Sequence, residues 1–91
     1  MNLEFLPSFV NRLGGFVEII AEDKPSVARK FHKEIINSCK EIQNFPYKHR
    51  KSIYVEDENI RDLVHKGFVA IYKIDGDTIK IFAFINPSSL F

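Results

Sequence analysis

Apolar residues along this chain fall into three regimes of spacing. Leu3 to Phe5 makes a brief apolar–polar alternation closed by Pro7. Proline cannot donate to a central ladder, so a short first strand ending there is predicted. Ser8 is placed to cap a following helix. Phe9, Leu13, Phe16 and Ile20 then recur at the spacing of one helical face. Gly14-Gly15 interrupts that face at a cost of about 2 kcal/mol relative to alanines, which predicts a weak middle or a break. Pro25 suits the first turn of a second helix, where its missing N–H costs nothing. Ala28, Phe31, Ile35, Cys39 and Ile42 form that helix's apolar stripe, with Ile36 beside it. Arg29, Lys30, Lys33, Glu34, Asn37, Lys40 and Glu41 form its wet face. Pro46 ends it, and a joint at Glu22–Lys24 folds the two helices into a hairpin.

Beyond the loop that follows, the period becomes two. Phe68, Ala70, Tyr72 and Ile74 alternate with Val69, Ile71 and Lys73. Ile79, Ile81, Ala83 and Ile85 share one face of a last strand, and Lys80, Phe82 and Phe84 the other. Lys66-Gly67 and Asp75-Gly76-Asp77 are the turns of two consecutive hairpins. The predicted class is α+β, with an N-terminal α-hairpin packed on a small, mostly antiparallel, twisted β-sheet. The last strand is apolar on both faces although one helical layer can cover only one. Either the sheet curls and buries its central strands, or it leaves an apolar surface for a partner chain.

Ninety-one residues suit one domain over 1–91. Near-average hydrophobic and charged content argues against wholesale disorder. The formal net charge of +1 hides a division along the chain. Residues 25–53 hold seven Lys/Arg against two Asp/Glu, net +5, and each flank is net −2. A localised positive charge suits a defined anionic partner better than indiscriminate binding to polyanions. One cysteine, Cys39, rules out an internal disulfide and fits a reducing compartment. The N-terminus shows no basic-then-apolar leader and no apolar run approaches a membrane span, so a cytoplasmic protein without membrane association is expected.

Lys48, His49, Arg50 and Lys51 are the densest basic cluster, flanked by Tyr47 and Tyr54. Cations interleaved with aromatics compose a phosphate-contacting, base-stacking surface; a solvated loop has the same composition. His65 and Tyr72 have groups able to move protons, but a turn position for His65 and sheet packing for Tyr72 are the commoner roles of such residues. His32 has no partner in sequence, and Cys39 belongs to the core stripe. No metal-ligand spacing, glycine-rich phosphate loop or nucleophile triad occurs, so no cofactor or metal is expected.

Several segments occur in a familiar order: Ala21-Glu22-Asp23-Lys24-Pro25-Ser26-Val27-Ala28-Arg29-Lys30-Phe31, Asn44-Phe45-Pro46-Tyr47, the basic loop Lys48–Ser52, Asn59-Ile60-Arg61-Asp62-Leu63, and the two hairpin strands with their turns. From about Leu3 to Ile85 the chain resembles the RelE/ParE superfamily of toxins from bacterial type II toxin–antitoxin modules. The start and exit of the second helix look more like the ParE branch. The resemblance implies a toxin neutralised by a cognate antitoxin, in a toxin–antitoxin hetero-oligomer. Arg61 matches the arginine that helps hold the scissile phosphate in ribonuclease members, a role suited to a guanidinium. Pairing with Asp57, Glu58 or Asp62 is its structural alternative.

Ribonuclease members usually carry arginine, histidine or tyrosine after the last strand, and gyrase-directed members often carry a histidine–glycine–arginine stretch there. Here Ile85-Asn86-Pro87-Ser88-Ser89-Leu90-Phe91 has no ionisable side chain. The resemblance to the ParE branch points to growth arrest by binding DNA gyrase, with Lys48, His49, Arg50, Lys51 and Arg61 facing the target and Phe82 and Phe84 facing the antitoxin. Two alternatives stand beside it. One is a ribosome-dependent messenger RNA endonuclease in which Arg61 is catalytic. The other is a degenerate, non-toxic member that only binds its antitoxin.

Overall fold

Residues 1–90 are described by a computed structural model; Phe91, the last residue of the neutral tail, lies outside the described residues. Strand β1 (Asn2–Phe5) precedes helices α1 (Pro7–Asp23) and α2 (Pro25–Glu41). Strands β2 (Arg50–Lys51), β3 (Ile60–His65), β4 (Phe68–Asp75) and β5 (Thr78–Ile85) follow, and a short 3₁₀ turn covers Pro87–Leu90. The five strands lie in the order β1-β5-β4-β3-β2. All neighbours are antiparallel except β1 and β5, which run parallel with Asn2 opposite Thr78. The α-hairpin covers one face, as the periodicity predicts.

Helix α1 runs unbroken through Gly14-Gly15, where a break or weak middle is expected from sequence. Phe9 and Leu13 are buried against the sheet, and each fully buried side chain of this size contributes about 1.5–3 kcal/mol. That exceeds the propensity cost of two glycines. Ser8 is not the cap. Leu6 holds that position with Pro7 in the first turn, and the Ser8 hydroxyl donates to the Phe82 carbonyl. The entire predicted stripe of α2, Ala28, Phe31, Ile35, Cys39 and Ile42, is buried. Burial pushes the Cys39 thiol up to about 12, so it is a packing group rather than a nucleophile.

The hairpin turns form where predicted. Lys66 and Gly67 both have positive φ, 49° and 85°, as a type I′ turn demands. Gly76 alone is positive in the second turn, at 60°.

The faces of β5 differ from the simple alternation. The register against β4 shifts between Ile71 and Tyr72, where Ile71 opposes Ala83 and Tyr72 opposes Ile81. Phe82 is the extra residue of this bulge, and beyond it the parity of the strand inverts. Ile79, Ile81 and Phe84 therefore point towards the helices. Phe82, Ala83 and Ile85 lie on the reverse face with Ile60, Val69 and Ile71. Phe84 is 1% exposed, stacked on Phe68 at 5.5 Å and edge-on to Phe9 at 5.6 Å. The expected pairing of Phe82 and Phe84 on one open apolar face does not occur. The reverse face buries Val69 and Ile71 itself, with Val55 of the β2–β3 loop packed against it.

Candidate functional site

The basic cluster lies where the chain leaves α2 and doubles back to β3. After Glu41 the backbone tightens, with Asn44 N–H donating to the Glu41 carbonyl at 3.0 Å. Lys48 N–H then donates to the Phe45 carbonyl at 3.1 Å. Two side chains from the sheet hold this loop. The Tyr72 hydroxyl donates to the Pro46 carbonyl at 2.6 Å, and Arg61 Nη1 donates to the His49 carbonyl at 3.1 Å. Tyr72 and Arg61 are direct partners across β3 and β4, so they rise from the same face as one clamp.

Arg61 is committed further. Its Nε donates to the Glu58 carbonyl at 3.2 Å, and its guanidinium lies 5.1 Å from the Tyr47 ring centre. Among the described residues no carboxylate comes within ion-pair distance of it, so the expected alternative of pairing with Asp57, Glu58 or Asp62 is not what forms. Asp62 serves Arg50 instead, with Arg50 Nε 3.2 Å from Asp62 Oδ2. The same oxygen accepts from Ile53 N–H at 3.0 Å. Asp62 is buried, and its Oδ1 has no hydrogen-bond partner. Lys51 pairs with Glu58 at 3.1 Å on the open surface, where such a pair contributes about 0–1 kcal/mol.

Two of the loop's three cations are therefore engaged within the chain. The Lys48 side chain makes no ion pair among the described residues. His49 packs edge-on to Tyr72, ring centres 6.1 Å apart. Burial, helped by the charge on Lys48, lowers its pKa and favours the neutral imidazole. Burial also raises the Tyr72 phenol to about 12. With its hydroxyl directed at Pro46, Tyr72 is a structural donor, not a proton carrier at neutral pH.

The other candidates lie elsewhere. His65 Nε2 is 3.0 Å from Glu34 Oε2, and Lys66 Nζ is 3.3 Å from the same oxygen. This cluster ties the first hairpin turn to α2. The bonds from Lys66 and then His65 hold the Glu34 carboxyl below the usual range. Phe82 is on the reverse face and Phe84 in the core, so neither joins the basic loop.

Sequence reasoning missed the surface beside that loop. Phe45 is 64% exposed and Val64 51%. With Ser38, Glu41, Lys48 and His49 they line an open groove of about 110 Å³. Asp62, which anchors the loop, was visible in sequence only as a neighbour of Arg61. The loop offers cations, aromatics and a shaped groove, but no acid–base pair poised about a reacting atom.

No curated protein matches the chain. Among solved structures, a chain described as "Chromosomal ParDE TA system from P. aeruginosa" superposes with a TM-score of 0.79, covering 94% of this chain and 95% of its own at 19% identity. At that identity the likeness concerns the fold. The family model described as "ParE toxin of type II toxin-antitoxin system, parDE" matches residues 3–89. That match spans nearly the whole sequence: the chain belongs to the ParE family of toxins from type II toxin–antitoxin systems.

Proposed function

We propose that this chain arrests growth by binding DNA gyrase through the Tyr47–Lys51 loop, and that a cognate antitoxin neutralises it in a cytoplasmic hetero-oligomer. The observation that carries the reading is the state of Arg61. Its Nε and Nη1 are bonded to the Glu58 and His49 carbonyls, so two of its five N–H donors are spent on shaping the loop. The tail after β5 supplies no titratable side chain. Each missing general acid or base forfeits a factor of roughly 10²–10⁴ in rate. A surface that positions charge without proton transfer suits inhibition by binding. The messenger RNA endonuclease reading has one observation in its favour, the neutral imidazole of His49, which is the form a general base requires.

The deciding experiment expresses the chain under tight control and maps RNA ends during growth arrest, beside a supercoiling assay with purified gyrase. Inhibited supercoiling without new RNA ends is expected, and Lys48→Ala should weaken it without loss of stability. Rapid cleavage of ribosome-bound messages, abolished by His49→Ala or Arg61→Ala, would overturn the proposal. A search of the neighbouring gene for a small DNA-binding partner tests the antitoxin.

A further inference from the structure

Strand β3 is an interior strand at its start and an edge strand at its end. Ile74 N–H donates to the Asn59 carbonyl at 2.8 Å, which makes those two a hydrogen-bonded pair. Alternation then makes Arg61/Tyr72, Leu63/Ala70 and His65/Phe68 the bonded pairs along β3 and β4. Ile60, Asp62 and Val64 consequently turn their N–H and C=O groups outward, towards β2. Ile60 and Asp62 are served there: Ser52 N–H reaches the Ile60 carbonyl at 2.8 Å, and Arg50 opposes Asp62.

The next rung would set Lys48 opposite Val64, but β2 contains only Arg50 and Lys51. Lys48 N–H is spent on the Phe45 carbonyl, and Tyr72 and Arg61 hold the neighbouring carbonyls of Pro46 and His49 away from the ladder. The outward N–H and C=O of Val64 have no partner among the described residues. They open on the groove walled by Phe45, Lys48 and His49.

The geometry points to this gap as the seat of one extended segment of the gyrase target, added to β3 as a strand. It would bond through its backbone to Val64, lay an apolar side chain against Phe45 on the helix side of the sheet, and set a carboxylate on Lys48. The inference rests on the gyrase reading and adds to it the form of the bound element. The gap is continuous with the loop proposed to face the target. A paired amide donor and acceptor one rung beyond a strand is matched by a peptide backbone, and the exposed Phe45 and Val64 favour a protein segment over a phosphodiester chain. Glu41 shares the wall, so charge is read at the Lys48 position and not along the whole segment.

Hydrogen exchange of the Val64 amide in the wild-type chain, free and bound to gyrase, tests this directly. Fast exchange in the free chain and at least roughly tenfold slower exchange in the complex are expected, as for an amide that gains a hydrogen bond. Val64→Pro removes the outward donor at an edge position where proline leaves the existing ladder intact. It should keep the fold and weaken supercoiling inhibition roughly tenfold or more. Unchanged exchange at Val64 in a formed gyrase complex would overturn the inference, as would protection appearing only with the antitoxin. So would undiminished inhibition by folded Val64→Pro. If that variant does not fold, the exchange measurement decides alone. Failure of the wild-type chain to bind gyrase would remove the underlying reading as well, whereas binding without protection removes only the added strand.

Discussion

Tyr72→Phe isolates the clamp on the basic loop. The ring is fully buried and phenylalanine retains it, so no cavity larger than the lost oxygen opens. What disappears is the 2.6 Å hydrogen bond to the Pro46 carbonyl. A neutral hydrogen bond of this kind contributes about 1 kcal/mol net. Pro46 is half-buried, so water can serve its carbonyl and the loss stays near that figure. In a domain of this size 1 kcal/mol corresponds to about 4–8 °C in melting temperature. The sign is the discriminating feature. If Tyr72 only packed in the sheet, removing its hydroxyl from an apolar site would leave stability unchanged or raise it. Thermal and urea melts followed by circular dichroism read the difference, and a variant as stable as wild type would refute the clamp. A double-mutant cycle with Arg61→Met extends the test. If both side chains hold one loop, the second release costs less than the first, with a coupling of about 0.5 kcal/mol or more.

Phe84→Ala should destabilise by about 3–5 kcal/mol, as a buried aromatic truncation, and Phe82→Ala by clearly less; equal losses in urea titrations would contradict the parity inversion in β5. A Cβ at Gly14 or Gly15 meets no atom within 4 Å, so Gly15→Ala should stabilise by about 1 kcal/mol, and a lower melting temperature would show a constraint the helix does not reveal. The Glu34 carboxyl is held below its ordinary value of 4.5. Its contribution to stability is therefore complete above that pH and is lost as pH falls through the folded-state value. Glu34→Gln should flatten the acid limb of the stability profile between those two values, and an unaltered limb would dismiss the Glu34–Lys66–His65 cluster as a stabilising tie. Lys48→Ala should leave stability within about 0.5 kcal/mol. Arg50→Ala should cost about 1–3 kcal/mol by stranding the Asp62 carboxylate, and equal melting curves for the two would show that the Arg50–Asp62 pair is not stabilising.

The α-hairpin and the two β-hairpins are legible in sequence because each is local. A stripe from Ala28 to Ile42 and turns such as Lys66-Gly67 specify themselves through nearest neighbours. Phe84 is misread for the opposite reason. The bulge at Phe82 is a property of how β5 meets β4 and of the Ser8 hydroxyl that reaches the Phe82 carbonyl from 74 residues away. The site divides along the same line. The basic loop is visible as composition, but which cations are spent depends on which strand face each partner occupies. One constraint was available and overlooked. Arg61 and Asp62 are successive residues of a strand, so they point to opposite faces and cannot pair within it. The partnership of Asp62 with Arg50 needed β2, a strand too short to announce itself.

The parallel pairing of β1 with β5 has a consequence for how this protein is made. Asn2 to Phe5 find their partners only at Thr78 to Ile81, and the Leu6 amide reaches the Ile81 carbonyl at 2.9 Å. Synthesis proceeds from the N-terminus, so the first strand waits, unpaired, for nearly the whole chain to emerge. Contacts of such sequence separation are slow to form, because the closure entropy must be met before they reward it. Phe84, on which Phe9, Phe16, Phe31 and Phe68 converge, arrives later still. The nascent chain thus leaves its aromatic core unsealed until β5 has been made.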